Sequence, residues 1–168
     1  AQVATAAFGA ASLDALGPSP VPGDAVPAET EVGDRTTALQ VLLGHQRALV
    51  FGLQALLGRV AADDPLVDVI GGRLGEAMRE RDETAAQITA SGATPAPAEP
   101  NYTLPGDATD PAQRAQVWAG LELAVLAGWT RLAAADPADR ETAASRALSQ
   151  AARVRSLGKP LPYWPGWV

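Results

Sequence analysis

Cysteine is absent from this 168-residue chain, which excludes disulfides, thiolate metal sites and cysteine nucleophiles. Lysine occurs once, at Lys159, and histidine once, at His45. The remaining basic residues are arginines scattered among acids, with no basic stripe, and the formal net charge is −6. Such a domain is a poor candidate for nucleic acid or an anionic membrane surface. Aromatic residues are scarce, at 5%. No apolar run approaches the roughly 18–20 residues that span a bilayer, so no direct membrane span is expected.

What is present leans helical. Alanine and leucine, both strong helix formers, supply much of the apolar content. The 14 prolines gather in three places instead of interrupting the periodic segments. The length fits one domain with a sizeable core. Residues 1–33 read as an N-terminal arm or linker: Ala4–Leu16 can form one short helix, followed by a Pro/Gly/acid stretch. The first residue is Ala1, so either an initiator methionine or a longer leader is expected to have been removed. The linker favours export or attachment to the cell envelope over a cytoplasmic location, and an arm packed on the domain is the other reading.

Four helices are expected over residues 34–158. Helix 1 starts after the N-cap Asp34 and runs to about Ala62. Its seam is Leu39, Leu42, position 46, Leu49, Leu53, Leu56 and Val60, in steps of three and four. Position 46 is Gln, a polar residue on an apolar stripe. Helices 2, 3 and 4 open on Asp64-Pro65, Asp110-Pro111 and Asp136-Pro137, each an N-cap followed by proline at the first helical position. Helix 2 carries Ile70, Leu74, Ala77, Arg81, Thr84 and Ile88 and stops near Gly92. Helix 3 carries Trp118, Leu121, Val125, Trp129 and Leu132, with Glu122 on the same stripe. Helix 4 has the weakest face, mostly alanine, and runs to about Leu157.

The connections set the topology. Helices 1 and 2, and helices 3 and 4, are joined by few residues and form antiparallel hairpins. Between helices 2 and 3 lies the proline-rich segment Ser91–Thr109. A helix of about 27 residues is about 40 Å long, and an extended linker of this length reaches roughly 60 Å. The expected fold is therefore an all-α four-helix bundle of ferritin-like topology, with one long crossover between helices 2 and 3 running the length of the bundle.

The helix 1 segment Leu42–Phe51 (LLGHQRALVF) and the helix 2 segment Glu80–Gly92 (ERDETAAQITASG) carry a resemblance. So do Tyr102-Thr103-Leu104-Pro105, Leu121-Glu122 and Pro165-Gly166. Together they resemble the actinobacterial ferritin-like domain of unknown function numbered 4439, over about residues 36–167. The resemblance implies a ferritin-like bundle and no established activity. Where that family tends to have Glu-His in helix 1, this chain has Gln46-Arg47, and His45 falls one position early.

A di-metal site in such a bundle needs a Glu from each of two helices and a Glu-x-x-His from each of the other two. Helix 2 offers Glu76-x-x-Arg79 and Glu80-x-x-Glu83, and helix 4 offers Gln150-x-x-Arg153. With a single histidine the set cannot be completed, so neither metal nor cofactor is expected. His45, off the seam, reads as a partly exposed residue. Gly71-Gly72 lacks the strand and loop of a phosphate site and reads as close helix packing or a local kink. No nucleophile has a recognisable context, and no catalytic residue is assigned. By phase, Arg81 either snorkels to solvent or joins Gln46 and Glu122 in a buried polar cluster.

The C-terminal tail, 159–168, holds Tyr163, Trp164 and Trp167 among prolines. It is expected to pack on the alanine face of helix 4, or to dock on a partner. The functional expectation is a non-enzymatic structural or protein-interaction module, with an unknown protein partner or a second copy of itself. The alternative is a binding protein for a small organic ligand or cofactor in the bundle centre.

Overall fold

The computed structural model describes residues 33–162 and contains four helices: α1 (Arg35–Leu57), α2 (Leu66–Ala90), α3 (Arg114–Ala135) and α4 (Arg140–Ser156). The expected N-terminal helix and the tail residues Tyr163, Trp164 and Trp167 lie outside the described residues.

Local chemistry marks the four starts and the ends of α1 and α2. Gly33, with φ +73°, turns the chain into Asp34, whose carboxylate accepts from the Thr37 N–H at 2.7 Å and caps α1. In the three Asp-Pro pairs, Asp64, Asp110 and Asp136 each accept from the backbone N–H two residues on. Regular α-helical bonding begins only after a first turn at α3 and α4, so those helices start later than the Asp-Pro pairs suggest. α1 also ends earlier than Ala62, closing at Gly58. At the end of α2, Gly92 adopts φ +83°, and the Ala93 N–H donates back to the Ile88 carbonyl. This closes the helix in the way glycine permits.

Helix directions follow from the contacts. A Cβ on Gly52 of α1 would meet Leu121 of α3, and one on Gly128 of α3 would meet Leu42 of α1. α1 and α3 are therefore antiparallel, each seating a leucine over the other's glycine. The short turn over residues 58–65 makes α1 and α2 antiparallel, so α2 and α3 point the same way. α3 and α4 form the second hairpin. The core is built from Leu39, Leu42, Leu49, Leu53 and Leu56 of α1, with Val117, Val125, Leu126 and Leu132 of α3. α4 adds only Ala143, Ala147 and Val154.

The crossover runs along α1 as an extended strap. The Gln40 side chain donates to the Thr94 carbonyl and accepts from the Ala96 N–H, both at 2.8 Å. Arg47 donates to the Ala96 carbonyl. Further along, the Tyr102 ring lies 5.7 Å from that of Phe51, and Pro105 abuts Gly120. α1 packs on α2 and α3, and α3 on α4, but the backbones of α2 and α4 hardly approach one another. That edge is bridged by side chains: Arg153 to Glu76 at 2.9 Å and Arg146 to Glu83 at 3.5 Å.

Candidate functional site: a saturated carboxylate in the bundle centre

Burial without charge compensation is costly, so the buried polar residues point to the site. Besides Thr84, they are Gln46 of α1, Arg73 of α2, Glu122 of α3 and Gln150 of α4. Glu122 is wholly inaccessible. Its Oε1 accepts from Arg73 Nε at 2.8 Å and from the Trp118 indole N–H at 2.8 Å. Its Oε2 accepts from Arg73 Nη2 at 3.0 Å and from the Gln150 amide. An ionised carboxylate offers about four acceptor sites. All four are taken.

The sequence produces this arrangement locally. Trp118 and Glu122 are one turn apart on α3, so the indole folds onto the carboxylate. The Gln150 amide also donates to the Glu122 backbone carbonyl at 2.9 Å, fixing α4 against α3. Arg73 lies along α2, reaching Glu80 at 3.1 Å as well as Glu122. Burial by itself would lower the Arg73 pKa, but the bonds and charge of Glu122, with Glu80, outweigh it and hold the guanidinium above its ordinary value. Glu76 is depressed, chiefly by the hydrogen bond from Arg153.

The arginine of this site is Arg73, not Arg81. Arg81 lies a quarter exposed and pairs with its neighbour Asp82 at 2.8 Å, outside the cluster. The seam of α2 runs through Ile70, Arg73, Ala77, Thr84 and Ile88, with Leu74 only partly buried. Of the expected seam, Ile70, Ala77, Thr84 and Ile88 hold, and the face leans to position 73 in place of Leu74 and to the side of Glu80 in place of Arg81. Glu122 and Gln46 are buried as expected. The available signal for Arg73 was its spacing to Glu76 and Glu80, at i+3 and i+7 on one face.

The bundle centre is thus held by an ion-pair network. Glu80 binds Arg73, Gln150 binds Glu122, and Arg153 binds Glu76. Among the described residues, no group of three or more His, Asp or Glu could hold a metal ion. A family model described as Domain of unknown function (DUF4439) matches residues 24–167. The chain belongs to this family. A solved structure of a conserved hypothetical protein, rv2844, from Mycobacterium tuberculosis is similar to this DUF4439 chain at 21% identity and TM-score 0.66. The alignment covers 78% of this chain and 98% of that one, and it shows a shared fold. A search of curated proteins finds no match.

In this DUF4439 bundle, Gln46 stands apart from the network. The α1–α3 contacts at Leu42–Gly128 and Gly52–Leu121 bracket it, placing it alongside residues 122–127 of α3. It is fully buried, yet neither amide atom has a hydrogen-bond partner among the described residues. His45 is half-buried, as its off-seam position suggests, and burial followed by the nearby Arg131 charge lowers its pKa. Gly71 and Gly72 face open space, with no heavy atom within 4 Å of a built Cβ, so close packing does not explain them. Among the described residues, no helix is long and apolar enough to cross a membrane.

Proposed function

We propose that this chain is a non-enzymatic structural or protein-interaction module, built on a ferritin-like bundle whose centre is held by an ion pair in place of a di-metal site. The observation that supports this reading is the saturation of Glu122. An acid, base or metal-binding carboxylate needs a free lone pair or a transferable proton, and here every acceptor site serves Arg73, Trp118 or Gln150. Arg73 would in addition repel a cation. The mycobacterial relative, together with the arginine bias, supports an actinobacterial origin. The aromatic tail residues Tyr163, Trp164 and Trp167 are the proposed contact for a protein partner, since tyrosine and tryptophan are enriched at interfaces.

The test is aerobic iron(II) oxidation with metal analysis of protein from iron- and manganese-supplemented cultures. The expected result is oxidation at the rate of buffer alone and metal well below one equivalent. Two tightly bound metal ions lost in Glu122→Ala would sink the reading.

A second reading, a small polar molecule held in the bundle centre, is favoured by one observation, the unpartnered Gln46 amide. Native mass spectrometry separates the two: an adduct present in the wild type and absent in Gln46→Leu supports the second.

A further inference from the structure

A groove of about 380 Å³ lies outside the bundle centre, between the α1–α2 hairpin and the crossover strap. Its size falls within the roughly 300–1,000 Å³ of small-molecule sites. The walls are apolar and aromatic: Val50, Phe51 and Tyr102, with the two rings inclined at 50°. The lining also carries Arg47, Arg81 and Asp82. Two of these compensate each other, since Arg81 pairs with Asp82. Arg47 does not. It donates to the Ala96 backbone carbonyl, and among the described residues no carboxylate pairs with it. The remaining N–H groups of its planar fork match a carboxylate in geometry.

We infer that this groove is a binding site for a flat aromatic monocarboxylate, with the ring against Phe51 and Tyr102 and the carboxylate on Arg47. One uncompensated positive charge suits a monoanion, and the aromatic lining of Phe51 and Tyr102 suits a π-system over an aliphatic chain. The site is held in shape before binding, because Gln40 and Arg47 pin the strap that carries Tyr102. The inference goes beyond the structural-module reading and does not depend on it, since metal chemistry at Glu122 has no bearing on this groove.

Titration calorimetry of the full chain with naphthalene-2-carboxylate, and with the neutral naphthalene-2-carboxamide, tests it. Saturable one-to-one binding of the carboxylate is expected, with the carboxamide at least tenfold weaker. Arg47→Met should remove that difference, Arg47→Lys should keep part of it, and Phe51→Leu should weaken both probes. Arg146→Met, on the far side of the bundle, should change neither. Equal affinities of the two probes for the unaltered chain, or no saturation at millimolar concentration, would overturn the assignment without recourse to any variant.

Discussion

Glu122 of α3 receives Arg73 of α2 through both carboxylate oxygens, at 2.8 and 3.0 Å, where neither side chain exposes more than 3%. Removing Glu122 leaves the buried Arg73 with Glu80 alone at hydrogen-bond distance and takes the acceptor from the Trp118 indole N–H. Glu122→Ala should therefore cost about 3–5 kcal/mol of stability in urea denaturation. Arg73→Met combined with Glu122→Leu should recover part of it, because an apolar pair carries no charge-desolvation penalty while the Trp118 indole N–H still loses its acceptor. Arg81→Ala, at the surface, should change stability by no more than about 0.5 kcal/mol. Equal losses at Arg73 and Arg81 would contradict the assigned seam.

Gln46→Met should stabilise the chain. An unpartnered buried polar group costs about 1–3 kcal/mol, and methionine fills a similar volume with no polar requirement. A melting temperature raised by several degrees is expected. A lowered one would show that the amide has a partner in solution.

Alanine substitutions at two glycines should act in opposite directions. At Gly128 the added carbon would sit 2.9 Å from Leu42 Cδ1 and 3.1 Å from its Cα. Gly128→Ala should therefore separate α1 from α3 and cost about 1–3 kcal/mol. At Gly72 nothing lies within 4 Å, and Gly72→Ala should gain about 0.5–1 kcal/mol from helix propensity and a stiffer unfolded chain. Thermal melting of the two single variants decides it.

Stability should fall as pH drops below about 6.5, the ordinary histidine value. Burial, with the Arg131 charge, lowers the folded-state pKa of His45. The unfolded chain therefore binds the proton first, and stability present above that pH is lost as it falls toward the folded value. Glu76, Asp34 and Asp107, all depressed in the folded state, act only at lower pH, in the carboxylate range. His45→Gln should flatten the upper limb, the fall that begins below about pH 6.5, and leave the acid limb intact. Identical pH–stability curves would disprove this assignment of the upper limb.

The helices and their order were legible because local chemistry marks them: Asp34 as a cap, Asp-Pro at three starts, Gly92 as a stop. The parallel course of α2 and α3 follows from loop lengths alone. The burial of Gln46 and Glu122 was legible from the phase of α1 and α3, whose leucines are dense enough to define a face. α2 is sparser in large apolar residues. With Leu74 taken as a seam residue, its neighbour Arg73 is passed over, and the same edge of the face then selects Arg81 where the structure has Glu80. The pairing of Gln150 with Glu122 depends on how hairpins dock, which no single-helix pattern encodes.

The α2–α4 edge has a consequence for motion. Three sides of the bundle are shut by interlocking side chains, whose attraction is indifferent to ionic strength. The fourth is closed by Arg146–Glu83 and Arg153–Glu76, partly exposed ion pairs, each worth at most about 1 kcal/mol and screened by added salt. α4, with an alanine face, is held to α3 through Gln150, and only its edge toward α2 rests on these pairs. In concentrated salt its amides should exchange with deuterium faster than those of α1, so that this protein breathes along one side, α4 parting from α2 while it stays hinged along α3.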